Sequence, residues 1–459
     1  MKKILLVLAV LVSYLTPVSA SHMMGGQMTI QHVSGMTYVI NYTAYRDVTG
    51  IPIATSATIS YTDTVSGTSF AQTIAYAGPT VLLNGVETYV YSDTVTFPNA
   101  GTWDIMYEEC CRNAAILNMS SPGVEALHFY THFLVDSANS SPDFLNPPIV
   151  LGQLGVPFYY NPLPSDVDGD SIAWQLDIPL STSGVQVVGY TLPPSDTLVP
   201  FNMDPLTGEI TFLPNALGNY QVSVRVKEYR AGVQIGEISR DMQIIVVNSI
   251  NTPSMVTLNS NTYPFSGKHY NVTPGNVYTA NFTVVDPDNQ GLTMTASGDA
   301  FRLLNNTPTF TTTGTVGSMT ATLSWTPNAS QARVKPYVFG IRTSENFGGL
   351  VFQSDFSLSL RVGNFTGIST INKNVAGVVI SPNPVTADFT VSYQSENNVA
   401  SAIRILSVNG QMVYEVKDLA TAPGLNIVNM RNLNLKSGLY IVEVVQNGKS
   451  QSPVRMIVK

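Results

Sequence analysis

The sequence predicts an all-β chain made of tandem β-sandwiches, and three observations carry that prediction. Only 11% of the 459 residues are charged, whereas Thr, Ser, Val, Asn and Gly abound. That balance suits strands and turns better than helices. Apolar and polar residues alternate over short runs, as in Thr37-Tyr38-Val39-Ile40-Asn41-Tyr42-Thr43 and Thr88-Tyr89-Val90-Tyr91, the period of a half-buried strand. No amphipathic helical period occurs after the first twenty residues, and short strands with regular turn signals point to sandwiches. At about 100–200 residues per domain, the length allows three or four domains.

The elements follow in order. Lys2 and Lys3 precede an apolar run from Ile4 to Leu15, and Val18-Ser19-Ala20 offers a small-residue cleavage site. The run is too short to span a bilayer, so residues 1–20 read as a removable signal peptide. No later apolar run reaches membrane-helix length, so no transmembrane segment is expected in the mature chain. Block one covers residues 21–146 and closes on a strand at His128–Val135. The proline-rich seam Ser141-Pro142-Asp143-Phe144-Leu145-Asn146-Pro147-Pro148 cannot sit inside a helix or a central strand. Block two covers 147–249 and ends on Met242–Val247. Block three covers 250–363. A Gly/Asn/Ser/Thr linker at 364–375 leads to a last domain at 376–459.

That last domain carries Ser381-Pro382-Asn383-Pro384, then Ile403-Arg404-Ile405-Leu406-Ser407-Val408-Asn409-Gly410-Gln411-Met412-Val413. Leu435-Lys436-Ser437-Gly438-Leu439-Tyr440-Ile441-Val442 follows, with a closing Val454-Arg455-Met456-Ile457-Val458-Lys459. This resembles the type A C-terminal sorting domain of the type IX secretion system. The resemblance implies a partner, the type IX machinery. It also implies translocation across an outer membrane, so that the chain is secreted or held on the outer cell surface.

Blocks two and three read as diverged copies of one module. Block two has Asp166-Val167-Asp168-Gly169-Asp170, then Gly208–Pro214, then Gly218–Val226. Block three has Asp286-Pro287-Asp288-Asn289, then Ala321–Pro327, then Tyr337–Arg342. The order resembles the cadherin-like and immunoglobulin-like modules of bacterial surface proteins. Block one, with Ser21-His22-Met23-Met24-Gly25-Gly26 and Tyr107-Glu108-Glu109-Cys110-Cys111-Arg112-Asn113, resembles an N-terminal domain of secreted gliding-motility-associated proteins.

The carboxylates of block two are the best chemical feature. Asp166, Asp168 and Asp170 alternate around Gly169, and calcium takes roughly six to eight oxygen ligands on a loop that can fold around it. No Glu follows at the twelfth loop position, so a site must borrow donors from elsewhere. Glu228, just after the Val222–Val226 stretch, is the expected fourth residue. A plain Asp-Gly turn is the simpler reading of the same residues. Asp286 and Asp288 offer a second calcium site, with Glu345 as a further donor. Asn289 is read as standing where a third Asp would, which lowers the charge.

Cys110 and Cys111 are the only cysteines. In an exported protein they suggest a vicinal disulfide, with two free thiols or bonds to other chains as alternatives. His128 and His132 share a strand face about 13 Å apart, too far for one metal. Gly169-Asp170-Ser171-Ile172 superficially matches the GDSL hydrolase nucleophile block but lacks the Asp-x-x-His partner. No nucleophile elbow, zinc-protease motif or phosphate loop occurs. Formal net charge is −8, or −10 without Lys2 and Lys3. An acidic chain with no basic run is a poor partner for nucleic acid. The sequence therefore predicts a non-enzymatic adhesion or structural protein of the cell surface that meets a glycan or protein ligand. The alternative is a carbohydrate-binding accessory protein in which Tyr159, Tyr160 or Trp174 stacks on sugars.

Overall fold

The computed structural model describes residues 23–258 apart from 77 and 137, residues 269–363, and most of 378–458. In that last stretch 382, 386–387, 396–399, 408, 420, 422–423, 432, 447–448 and 451–452 fall outside the description. The signal-peptide and linker expectations lie outside the described residues. The fold is all-β: the described elements are strands, with helix limited to four 3₁₀ segments of three or four residues. No helix among the described residues is long and apolar enough to cross a membrane.

Alternation places the core as predicted. In Thr37–Asp47 the side chains of Tyr38, Ile40, Tyr42 and Ala44 are buried while Thr37, Val39, Asn41 and Thr43 between them are half-buried. Each block has its own apolar core. Tyr38, Tyr61, Trp103 and Phe133 anchor the first, Tyr160, Phe212, Val222 and Ile244 the second, and Phe282, Trp325, Phe339 and Leu358 the third. Block three is a sandwich of two four-stranded sheets. The Trp325 ring meets Tyr337 edge-on at 4.8 Å between them.

Strand pairing runs across the expected boundary at 146/147. A twelve-stranded sheet contains strands of both blocks one and two, and it branches at Val233–Val247. One edge of that strand is shared in turn by three partners. Gly236–Ile238 faces Phe133–Thr131, Arg240 and Asp241 face Gln27 and Gly26, and Gln243–Val247 runs parallel to Ile149–Gln153. Its other edge pairs along its length with Gly218–Arg230. Close approach explains the Gly25-Gly26 pair. A Cβ on Gly25 would sit 2.2 Å from the Asp241 carbonyl oxygen, and one on Gly26 would sit 2.6 Å from that of Thr43.

Buried polar groups lock the blocks together, as they must where strands of separate cores meet. Arg112 pairs with Asp241, and Arg240 donates to Gln27 Oε1 and to the Asn146 carbonyl. Between blocks two and three, Asp355 binds Arg342 with both oxygens and accepts the Asn161 N–H at 2.8 Å. The Ser357 N–H donates to Glu209 at 2.7 Å. Asn84 of block one exchanges two hydrogen bonds with the main chain of Val351. Residues up to 365 thus form one compact unit and residues 366–459 another.

The second unit consists of a three-stranded and a five-stranded sheet around Val391, Ile403, Ile405, Val442, Val444 and Met456. Its Ser407–Gln411 hairpin turns on Gly410, at φ 78°, a conformation that glycine adopts without a Cβ penalty.

Candidate metal centre

The acidic turn of block two folds around one carboxylate. Asp166 is 5% exposed, and its Oδ1 accepts the N–H groups of Asp168 at 3.1 Å and Asp170 at 2.8 Å. Gly169 allows the turn at φ 84°. The chain then enters Ser171–Asp177, which pairs antiparallel with Gly218–Arg230, and the register sets Ile172 opposite Glu228. A register shift between Glu228 and Tyr229 and a glycine at 236 make room for the Glu228 carboxylate. A Cβ on Gly236 would stand 2.4 Å from Glu228 Oε2.

Asp166, Asp170 and Glu228 each bring one oxygen within 4.8 Å of the others. Glu228 is fully buried, and neither of its oxygens makes a hydrogen bond of good geometry, although the Asn139 side chain stands near enough to favour its charged form. Asp166 Oδ2 is also buried and unpartnered. Burial, reinforced by Asp166 and Asp170, pushes the Glu228 carboxyl up to about 9. Burial likewise raises Asp166 to about 6. A crowded cluster of desolvated carboxylates in which Glu228 and one Asp166 oxygen lack hydrogen bonds has the electrostatics of a cation site. An all-oxygen set of hard donors fits calcium rather than a softer metal.

Three of the four residues expected in the first site therefore converge. Asp168 does not join them: its Oδ2 accepts the Ser140 N–H. Sequence reasoning missed Asp136, Asn139 and Arg230. Arg230 donates to Asp136 Oδ2 at 2.8 Å, Asn139 Oδ1 at 2.6 Å and Asp170 Oδ2 at 2.5 Å.

Block three repeats the geometry with different contents. Asp286 caps its turn by accepting the N–H groups of Asp288 and Gln290, Asp288 accepts the Thr252 N–H, and Leu292 faces Glu345. The strand register corrects the expected equivalence. Asn289, at φ 58°, takes the place of Gly169, and Gln290 takes the place of Asp170. Here both Glu345 oxygens are satisfied, by Asn251 Nδ2 at 2.6 Å and the Ser254 N–H at 2.9 Å. Gln290 Nε2 donates to Asn251 Oδ1 at 2.8 Å. Asp286 and Asp288 thus sit in a network that meets both Glu345 oxygens with hydrogen-bond donors, while Gln290 Oε1 stays buried without one.

The structure sets the Cys110 and Cys111 sulfurs side by side, the placement a vicinal disulfide requires. Intact-mass measurement of native chain is expected to read two hydrogens below the reduced form, and labelling of both thiols in unreduced, unfolded chain would refute the bridge. His128 and His132 bind separate carboxylates, Glu108 at 2.8 Å and Asp104 at 2.7 Å. Tyr160 is buried, with its hydroxyl on the Pro147 carbonyl. Trp174 packs against the core of block two and donates to the Asp204 carbonyl. Tyr159 lines a cavity of about 330 Å³ between blocks two and three.

Residues 379–459 match the secretion system C-terminal sorting domain family. A 93-residue stretch is 32% identical to ulvan lyase NLR42 of Nonlabens ulvanivorans. It covers 20% of this chain and 16% of that enzyme, so the chain spans about a sixth of its relative's length. Among solved structures, the Dpr2 Ig1–Ig2 complex with DIP-Theta Ig1–Ig3 gives a TM-score of 0.18 at 11% identity, covering 73% of this chain and 97% of that one. The major pilin subunit BcpA of Bacillus cereus gives 0.18 at 9% identity over 68% and 95%. Domains 1–6 of the surface layer protein SbsC give 0.15 at 10% identity over 95% and 66%. The chain carries, over residues 379–459, the sorting domain of the type IX secretion system and is a protein exported to the cell surface or beyond.

Proposed function

We propose that the exported chain acts at the cell surface as a non-enzymatic adhesion or structural protein, stiffened by calcium held on Asp166, Asp170 and Glu228. The observation that carries this reading is the joining of all three blocks. A shared sheet and the Arg112–Asp241 pair join blocks one and two, and the Asn161–Asp355 and Ser357–Glu209 hydrogen bonds join blocks two and three into the same compact unit, as a part that carries force or presents a ligand requires. Inter-domain interfaces within a chain are ordinarily smaller and more mobile. The test compares host cells lacking the chain with cells displaying it, scored for attachment and envelope integrity, alongside a polysaccharide hydrolase and lyase screen of purified chain. Altered attachment with no turnover is expected. Turnover of any substrate at an enzymatic rate would overturn the non-enzymatic reading.

A carbohydrate-binding role is the second reading. Tyr159 and Phe352 on the walls of the 330 Å³ cavity are the observation that favours it. Glycan arrays separate the two.

Export has its own test. Deleting residues 376–459 should strand the chain in the periplasm, and normal surface delivery of the truncated chain would contradict the role of the sorting domain.

A further inference from the structure

We propose that Arg230 is a built-in counter-ion that calcium must displace from Asp170, so that this arginine sets the calcium level at which the site fills. The proposal rests on the calcium reading given above and concerns how that site is regulated.

Four observations lead there. The three-oxygen cluster needs Asp170, yet both Asp170 oxygens are occupied by Arg230: Nε lies 3.1 Å from each, and Nη2 lies 2.5 Å from Oδ2. Second, the rest of the cluster is open. Glu228 is fully buried with neither oxygen in a hydrogen bond of good geometry and stands in the cluster with Asp166 and Asp170. Such a group asks for a cation, and Arg230 acts on it only at range, because its hydrogen bonds go to Asp136, Asn139 and Asp170. Third, Arg230 is the member able to leave. Its side chain is 35% exposed, and it ends its strand at a hairpin whose next two residues, Ala231 and Gly232, have φ of 50° and 83°. It can swing into water without repacking a core.

The fourth observation comes from the second copy of the turn. Two residues beyond the buried glutamate, block two has Arg230 and block three has Phe347. Where block two has Asp170, block three has Gln290, and there Asn251 fills the space by bonding both Gln290 and Glu345. The arginine is present where the aspartate is, and both are missing from the second copy. Arg230 is thus matched to Asp170 as its charge partner, and the second copy replaces that charge pair with amide hydrogen bonds. A guanidinium and a divalent ion cannot share one carboxylate at close range without strong repulsion, so filling the site moves Arg230 away.

The test is calorimetric titration of calcium chloride into the mature chain, comparing wild type, Arg230→Met and Glu228→Gln. Removing the competing charge should tighten calcium binding by on the order of tenfold, while Glu228→Gln should abolish it. Equal or weaker calcium binding by Arg230→Met overturns the displacement and leaves the calcium site standing. No binding by wild type and Arg230→Met alike overturns the calcium reading and the proposal with it. Should Arg230→Met fold poorly, the arginine side-chain NMR signal of wild type decides. Arg230 Nε–H should exchange slowly without calcium and rapidly with it, and an unchanged signal overturns the proposal.

Discussion

Arg112→Met is expected to destabilise the joined first and second blocks by about 3–5 kcal/mol, the cost of leaving one member of a buried ion pair alone. Arg112 is fully buried. Its Nη1 reaches Asp241 Oδ2 at 2.6 Å, and its Nη2 donates to the Leu180 carbonyl at 2.7 Å. Its own N–H donates to the Glu125 carbonyl. The guanidinium therefore ties the segment after the cysteine pair to two parts of block two. Asp241 sits on Val233–Val247, the strand at which the large sheet branches. Without Arg112, a carboxylate 5% exposed loses its counter-ion. The double variant Arg112→Met, Asp241→Leu removes both charges and should recover much of the loss, because well-packed apolar replacements of buried pairs are often neutral. Urea denaturation of the three chains measures this. A single-variant loss below about 1 kcal/mol, or a double variant no better than Arg112→Met, would show that the pair does not join the blocks.

The faces of strands were legible in the sequence, and the partners of strands were not. Alternation at Thr37–Thr43 states which side chains are buried, because the side-chain period of a strand is two. It says nothing about which strand lies alongside. The stretch Met242–Val247 reads as an ordinary last strand, yet Val233–Val247 borders strands from both blocks. The Ser141–Pro148 seam was read correctly as unable to join a central strand: within it only Asp143–Phe144 pairs, as a two-residue strand. It does not separate two sheets, because the chain leaves the large sheet there and returns to it at Ile149–Gln153. At the site, Glu228 was legible because it stands two residues beyond the alternating run Val222–Val226, on the strand that pairs with the one leaving the acidic turn. Asn139 and Asp136 lie 91 and 94 positions from Arg230, and nothing local marks them. One signal was available. Asn139-Ser140 lies upstream of the acidic turn of block two as Asn251-Thr252 lies upstream of that of block three, and in both the second residue's N–H caps the middle aspartate of the turn.

Calcium should raise the melting temperature of the mature chain, and the rise should grow with pH. At a hundredfold excess over the dissociation constant one site adds about 2.7 kcal/mol. Extracellular modules often bind with constants near 10⁻⁴ to 10⁻³ M, so about 10 mM calcium is the appropriate arm against chelator. The pH dependence follows from the raised carboxyls. Without metal, Glu228 goes from an ordinary 4.5 to about 9 and Asp166 from 3.8 to about 6. Each group therefore holds a proton in the folded state that the unfolded chain has released. Stability from these groups is complete below their ordinary values and is lost as pH rises toward the folded ones, at up to about 1.4 kcal/mol per pH unit per group. The metal-free chain should thus melt lower at pH 8 than at pH 5 on their account. Calcium needs the same carboxylates ionised and competes with those protons, so its stabilisation should be small at pH 5 and large at pH 8. Glu228→Gln removes the group with the larger shift. It should flatten the metal-free pH dependence and abolish most of the calcium effect together, a coupling that a turn without a cation would not produce. Gly236→Ala, which drives a methyl toward Glu228 Oε2, should weaken calcium stabilisation without changing any charge. A calcium-induced shift of equal size at pH 5 and pH 8, or one that survives Glu228→Gln intact, would remove Glu228 from the metal centre.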